Sequence, residues 1–257
     1  MASILFEIKD SIGFIKLNRP DKLNSFNREM SLKMQEALDQ CTGEEVRCIY
    51  ITGTGKAFSA GQDLSEVADP EGPGIDKILS EHYNPIVTRI RNLEKPVIAA
   101  VNGVAAGAGA NMALCCDVVI AAQSSSFLQA FSKIGLIPDT GGTFSLPRLI
   151  GWQKASALMM MGEKVSATDA ERMGMIYKVF PDEVFAENSL LIAYYLAKMP
   201  TRGLAYTKML LNRSFDNSWE HQLEDENVFQ QKAANTSDYK EGVKAFLEKR
   251  QPEFTGK

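Results

Sequence analysis

Two loops in this chain carry backbone groups suited to catalysis. The first, residues 57–64, reads AFSAGQDL and follows a predicted strand. Gly61 lets the backbone turn so that the N–H group of Gln62 points into open space. The second, residues 103–111, is a run of small residues before a predicted helix at Ala108, whose first N–H group has no partner within the helix. Two such donors predict an oxyanion hole, which stabilises a carbonyl oxygen as it gains negative charge.

A structural interpretation of both loops remains open. Small residues also let a helix approach a sheet closely, and each loop taken alone fits that role. The occurrence of both loops in one chain favours the oxyanion hole.

The candidate acid/base group is Asp139, in the segment IGLIPDTGGT of residues 134–143. Burial among apolar neighbours would disfavour the charged carboxylate and raise its pKa, which suits a general base that takes a proton from carbon. Asp139 also precedes a predicted helix, where its side chain could serve only as an N-cap. The sequence leaves both roles open.

Other catalytic patterns fail on the residues present. The two histidines, His82 and His221, are far apart in sequence, which excludes a His-rich metal site, and no Gly-x-Ser-x-Gly elbow accompanies them. Residues 53–56 (GTGK) lack the first glycine and the final hydroxyl of a phosphate loop, and residues 107–109 (GAG) lack the third glycine of a dinucleotide-binding turn. We expect neither histidine to act in catalysis, and we expect the methionines at 159–161 to fill the core.

Composition narrows the class of protein. The chain has 257 residues, 45% hydrophobic and 23% charged, with a formal charge of -4. No apolar run approaches the about 20 residues of a spanning helix, and no secretory signal is evident, so we expect a cytoplasmic protein without a membrane partner. The mild acidity argues against nucleic acid as a partner. Four cysteines match neither a disulfide framework nor a metal site and are expected to lie in the core.

The elements predicted from periodicity indicate an α/β fold. Strands are expected at 4–9, 13–17, 46–52, 96–101 and 117–122. A first helix is expected after an N-cap at Ser25 or Asn27, and an amphipathic segment at 75–93. The last third is mainly helical, with helices expected at 166–173, 182–198, 202–215, 220–234 and 239–248.

Several segments, in this order, resemble the enoyl-CoA hydratase/isomerase, or crotonase, superfamily. They are LNRP at 17–20 with Asn24, FSAGQDL at 58–64, KPVIAAVNG at 95–103, CD at 116–117 and GLIP at 135–138. The resemblance implies a spiral core of strand-strand-helix repeats over residues 1–195 and a C-terminal helical trimerisation region over 196–257. It also implies an acyl-CoA substrate, a homotrimer or hexamer, and no metal or redox cofactor, since coenzyme A is part of the substrate.

The resemblance assigns roles to individual positions. The oxyanion hole donors would be the backbone N–H groups of Gln62 and Ala108, in agreement with the interpretation of the two loops. The residues implied to bind the substrate along the coenzyme A path are Lys22, Ala60, Asp63 and Leu64.

Departures from the superfamily pattern favour an isomerase over a hydratase. Hydratases of this superfamily use two glutamates to handle water, and the corresponding positions here are Asn111 and Phe131. Neither residue can act as a base. A single carboxylate at Asp139 suits the transfer of a proton between two carbons, with Asn111 shaping or polarising the pocket.

Within the superfamily, residues 107–111 and 137–144 look most like the bacterial isomerases of phenylacetate degradation, which convert ring-1,2-epoxyphenylacetyl-CoA to oxepin-CoA. Two alternatives remain. One is a Δ3,Δ2-enoyl-CoA isomerase of fatty-acid oxidation that uses the same residues on a linear acyl chain. The other is a noncatalytic acyl-CoA-binding or RNA-binding relative, of which the mild acidity disfavours the RNA binder.

Overall fold

Two β-sheets form the centre of the fold in a computed structural model that describes residues 2–257. One sheet has the strand order β1-β2-β3-β5-β7-β10 and the other β4-β6-β8-β9. The strands are β1 (Ile4–Lys9), β2 (Ile12–Leu17), β3 (Cys48–Gly53), β4 (Ala57–Ser59), β5 (Val97–Val101), β6 (Val104–Ala106), β7 (Val118–Ala122), β8 (Ser126–Leu128), β9 (Lys164–Ser166) and β10 (Lys178–Phe180).

Helices surround the sheets and make up most of the last third of the chain. They are α1 (Arg28–Gln40), α2 (Leu64–Ala68), α3 (Gly74–Lys77), α4 (Asn84–Asn92), α5 (Ala108–Leu114), α6 (Gly142–Ile150), α7 (Trp152–Met161), α8 (Ala167–Arg172), α9 (Asp182–Lys198), α10 (Thr201–Arg213), α11 (Trp219–Ala234) and α12 (Ser237–Glu248). Short 3₁₀ segments lie at Pro20–Lys22 and Phe131–Ile134, and a π-helical turn at Ile78–Tyr83 joins α3 to α4.

The chain winds as a spiral between the two sheets. Three successive strand pairs, β3 with β4, β5 with β6 and β7 with β8, each place one strand in either sheet. Strands from consecutive turns then pair in parallel within their sheet. A helical segment follows each strand pair, which confirms the predicted strand-strand-helix repeats and the α/β class.

The central strands are buried on both faces. In β3, Ile49 and Ile51 face the main core, where α1 and α4 pack, whereas Tyr50 faces the opposite side, where α9 packs. The period of two in a strand explains this division. α9 includes both sides of the predicted division between residues 195 and 196, and that division stays a prediction.

Helix α1 follows the sequence prediction closely. Asn27 is the N-cap and its side chain accepts a hydrogen bond from the Met30 amide. The apolar stripe of Met30, Met34 and Leu38 is fully buried. All four cysteines are buried and free, as expected.

Some elements differ from the sequence predictions. The strands β4, β6, β8 and β9 have only three residues each, too few for an alternating pattern to be recognised. The methionines at 159–161 were expected in the core, and this is wrong for two of them, because Met160 is 75% exposed and Met161 is also exposed. Their positions near the end of α7 lie on its outer side.

Within residues 2–257, the helices include none whose length and apolar content match a membrane span.

Candidate active site

The turn after β4 presents the Gln62 amide. Gly61 has φ +88°, a conformation that L side chains rarely adopt. On either side of Gln62 the backbone pairs with Phe26: the Phe26 amide donates to the Gly61 carbonyl at 2.7 Å, and the Asp63 amide donates to the Phe26 carbonyl at 2.8 Å. These two hydrogen bonds fix the turn on the side of Phe26 and leave the Gln62 N–H group pointing the other way.

The second turn brings the start of α5 against the first. Gly107 has φ 52° and ψ -127°, a region open to glycine alone, and it is the N-cap of α5. A Cβ atom on Gly61 would lie 2.8 Å from the Ala106 carbonyl oxygen and 3.3 Å from the Ala108 nitrogen. The two predicted loops are therefore in direct contact, and only glycine fits where they meet.

Neither amide of the predicted oxyanion hole is used in the structure. Among residues 2–257, no protein acceptor receives a hydrogen bond from the N–H group of Gln62 or of Ala108. Two free donors on adjoining turns are available to an acceptor from outside the chain, whether water or a ligand. A carbonyl oxygen of a ligand is one such acceptor.

Asp139 lies in the loop before α6 with a half-buried side chain. Burial raises the pKa of its carboxyl group, and a hydrogen bond from the Thr140 hydroxyl at 2.7 Å partly opposes that rise. The N-cap of α6 is Gly141, without a side-chain cap, so the interpretation of Asp139 as an N-cap is wrong. Thr140 has φ +54°, which is rare for a β-branched residue and typical of strained functional loops.

Asn111 connects the Asp139 loop to the helix that begins at Ala108. Its side chain is fully buried, and its amide nitrogen donates to the Asp139 carbonyl oxygen at 2.9 Å. Its amide oxygen accepts from the Gln129 side chain at 2.7 Å. Both ends of the Asn111 amide are thus bonded within the protein, where they hold the Asp139 backbone in position. Among these residues, the Asp139 carboxylate itself accepts a hydrogen bond from Thr140 alone.

No carboxylate stands at Asn111 or Phe131, the two positions that the family resemblance pairs with the glutamates of hydratases. Phe131 is buried, and its ring lies 3.7 Å from where a Cβ atom on Gly107 would stand. Asn111 is neutral, and its amide nitrogen and oxygen each make one hydrogen bond within the protein. The site therefore combines two free amide donors and one desolvated carboxylate with an apolar ring beside the second turn.

The four residues expected along the coenzyme A path surround the first turn. Asp63 is the N-cap of α2, and its carboxylate binds Ser65 and Arg19, the latter at 2.8 Å. These contacts hold the pKa of Asp63 below its usual value, although burial alone would raise it. Lys22 and Leu64 are exposed and Ala60 is half-buried. Contacts of these residues with coenzyme A stay predictions.

Sequence reasoning missed several residues that support the site. Arg19 was noted only within a motif, yet its guanidinium bonds both Asp63 and the Ser25 carbonyl oxygen. Gln129 lies far from Asn111 in sequence and carried no signal. Tyr83 lay in an amphipathic segment whose pattern gave no hint that its hydroxyl is buried.

Comparisons with known proteins agree with this geometry. Residues 7–257 match the family model Enoyl-CoA hydratase/isomerase. The chain is 47% identical over 261 residues to the 1,2-epoxyphenylacetyl-CoA isomerase of Escherichia coli K12, with 100% of each chain covered. It is 43% identical over 255 residues to a Rhodobacter capsulatus protein named "Probable enoyl-CoA hydratase", covering 99% of this chain and 98% of that one.

A solved structure confirms the fold as well as the family. The enoyl-CoA hydratase of Bacillus anthracis superposes with a TM-score of 0.94 at 31% identity, covering 99% of this chain and 100% of that one. The spiral of two sheets, the two contacting turns and the family match over residues 7–257 lead to one assignment. The chain belongs to the enoyl-CoA hydratase/isomerase, or crotonase, family.

Proposed function

We propose that this protein is an acyl-CoA isomerase that converts ring-1,2-epoxyphenylacetyl-CoA to oxepin-CoA in phenylacetate catabolism. The observation that carries the isomerase assignment is the single desolvated carboxylate of Asp139, tied through Asn111 to the helix that presents the Ala108 amide. The 47% identity to the Escherichia coli isomerase of that name supports the ring substrate.

The proposed reaction moves a proton within one molecule. Asp139 takes a proton from a carbon next to the thioester carbonyl, and the electron pair of the broken C–H bond forms an enolate. The enolate oxygen accepts hydrogen bonds from the amides of Gln62 and Ala108, which are worth most when the charge has developed. The C–C bond shared by the epoxide and the six-membered ring breaks, and its electron pair becomes part of the double bonds of the seven-membered oxepin ring. Protonated Asp139 then returns the proton to a ring carbon. No atom or electron is gained or lost, so the reaction needs no redox cofactor, and the two amides supply the stabilisation of the enolate oxygen that a metal ion would otherwise give.

Hydration is disfavoured because it needs a group to activate water. Asn111 and Phe131 occupy the positions of the two hydratase glutamates and cannot remove a proton from water. The remaining competitor is the Δ3,Δ2-enoyl-CoA isomerase reaction on a linear acyl chain, which the same three groups could catalyse. A noncatalytic acyl-CoA binder would use the two amides without the carboxylate.

The test is turnover of ring-1,2-epoxyphenylacetyl-CoA and a 3-enoyl-CoA in parallel by the purified protein and by its Asp139→Asn variant. Loss of a general base lowers kcat by about 100-fold to 10,000-fold, and thioester binding should persist in the variant. A higher wild-type rate on the epoxide supports the proposed substrate, and a higher rate on the 3-enoyl-CoA replaces it with the linear-chain reaction. A wild type that binds both thioesters and converts neither would refute the isomerase proposal.

We also propose that the protein binds coenzyme A along Lys22, Ala60, Asp63 and Leu64 and assembles as a homotrimer or hexamer through residues 196–257. Large apolar side chains on the C-terminal helices support the assembly, because Trp219, Phe246 and Leu247 are all exposed in the single chain. Sedimentation equilibrium gives the mass directly. A monomeric mass at micromolar concentration would contradict the proposed assembly without affecting the proposed reaction.

A further inference from the structure

Tyr83 carries a buried hydroxyl that the protein leaves without a partner. The residue is 1% exposed, and among residues 2–257 its hydroxyl oxygen makes no hydrogen bond. A buried hydroxyl is normally paired, because removing it from water without compensation destabilises the fold. The Tyr83 hydroxyl is one of seven buried side-chain polar atoms without a hydrogen-bond partner in the described residues, and it is free to pair with an acceptor from outside the chain.

The position of Tyr83 is next to the oxyanion turn. Its ring packs on the Phe26 ring with centroids 5.9 Å apart, and Phe26 is the residue whose backbone pairs with the turn at Gln62. Tyr83 is the last residue of the π-helical turn Ile78–Tyr83. Such turns are rare within helices and occur frequently at functional sites.

The charges around the hydroxyl keep it protonated. Burial raises the pKa of Tyr83 well above its usual value, and the carboxylates of Asp139, Glu66 and Asp63 raise it further, with Asp139 the strongest of the three. The Tyr83 hydroxyl is therefore a permanent donor at physiological pH.

A donor of this kind distinguishes acyl groups by whether they carry an acceptor oxygen. A hydrocarbon chain leaves the hydroxyl unpaired, whereas an epoxide or ether oxygen accepts its hydrogen bond. We propose that the Tyr83 hydroxyl donates a hydrogen bond to an oxygen of the acyl group and so selects oxygenated acyl-CoA substrates over unsubstituted ones. This inference rests on the proposed isomerase function and adds a specificity-determining residue to it.

The test compares Tyr83→Phe with the wild type on ring-1,2-epoxyphenylacetyl-CoA and on a 3-enoyl-CoA. The variant keeps the ring and its packing on Phe26 and removes only the oxygen. We expect kcat/KM for the epoxide to fall by about 10-fold or more, while kcat/KM for the 3-enoyl-CoA stays within about 2-fold. The melting temperature should be unchanged or higher, because the lost hydroxyl has no partner in the protein.

Tyr50→Phe is the matched control. Tyr50 is also buried, but its hydroxyl is 2.7 Å from the Ser189 hydroxyl, with which it shares a hydrogen bond. Its loss should lower the melting temperature and leave the ratio of the two substrates unchanged.

Two kinds of failure are distinguishable. An equal loss on both substrates in Tyr83→Phe, or no loss on either, overturns the role of Tyr83 and leaves the isomerase function standing. Absence of epoxide turnover by the wild type overturns the proposed substrate, and the inference about Tyr83 falls with it.

Discussion

Asp117 and Asp139 are two carboxylates that differ in their hydrogen-bonding and ionic partners. Burial raises the pKa of both. Asp117, whose side chain is 19% exposed, binds the Lys208 ammonium of α10 at 2.8 Å and accepts the Val97 amide at 2.8 Å. Asp139 accepts a side-chain hydrogen bond only from its neighbour Thr140, among the residues that the structure describes.

The difference indicates that hydrogen-bonding and ionic partners, more than burial, distinguish the structural carboxylate of Asp117 from the proposed base, Asp139. The Lys208 ammonium also donates to the carbonyl oxygens of Ile90 and Lys95, so Asp117 belongs to a network that joins α10 to the sheet. Among residues 2–257, Asp139 has no ion-pair partner, which fits the proposed role of its carboxylate as a base.

The largest expected effect is on folding stability and comes from Asp117→Asn. The substitution leaves the Lys208 ammonium, which is buried, without its counter-ion, so the free energy of unfolding should fall by about 3 kcal/mol, the lower end for a broken buried pair. Urea denaturation at fixed protein concentration measures it. Asp139→Asn should cost no stability in the same experiment, because no ion pair is lost.

Asp39→Asn provides the control for Asp117→Asn. Asp39 pairs with Arg89, but both side chains are substantially exposed, at 58% and 34%. Exposed pairs contribute little, so this variant should be much closer to the wild type. Equal losses for Asp39→Asn and Asp117→Asn would remove the contrast between the two regions.

The second-largest expected effect is on turnover and comes from Gly61→Ala, which alters the turn that presents the Gln62 amide. The added Cβ atom would lie 2.8 Å from the Ala106 carbonyl oxygen, so one of the two turns must shift and the hole loses its geometry. Loss of one oxyanion donor lowers kcat by about 100-fold. Steady-state turnover of the substrate that the wild type prefers measures this.

Gly174→Ala is the control that separates the effect of backbone strain from the effect of the steric clash at Gly61. Gly174 has φ +80°, close to that of Gly61, but its added Cβ would meet nothing nearer than the Leu149 carbonyl oxygen at 3.7 Å. Both variants should lose stability through backbone strain, with the larger loss in Gly61→Ala because of its added clash, and only Gly61→Ala should lose turnover. A matching loss of turnover in Gly174→Ala would mean that strain alone accounts for the effect.

These residues show how far the sequence could predict the site. The two loops were found because glycine and a helix start leave a local signature. The strand-strand-helix repeats came from the family resemblance, because β4, β6 and β8 are too short for a local pattern. The contact between Gly61 and Ala106 depends on the pairing of β4 with β6, which no local pattern encodes. The same holds for the hydrogen bond from Gln129 to Asn111 and for the buried hydroxyl of Tyr83.

The third effect is a smaller loss of kcat and comes from Asn111→Leu, which alters the position of the Asp139 carboxylate. Leucine nearly matches asparagine in size but cannot donate to the Asp139 carbonyl oxygen, so the carboxylate loses part of its support. A small displacement of the base should lower kcat by about 10-fold and leave KM nearly unchanged. Gln129→Leu removes the next hydrogen bond outward and should have a smaller effect on kcat. The reverse order would show that Asn111 does not act through Asp139.

The smallest effect is a shift in pH dependence from Thr140→Val. Asp139 acts as a base only when ionised, so kcat/KM should decline as the pH falls through its raised pKa. The Thr140 hydroxyl donates to the carboxylate and favours the ionised form, which lowers the pKa. Valine keeps the β-branched shape and removes this donor, so the acid limb of the profile should move to higher pH. Thr42→Val, which removes an exposed hydroxyl bonded to the Asp39 carbonyl oxygen, should not move it. An acid limb that stays in place in Thr140→Val would mean that a group other than Asp139 titrates in the rate.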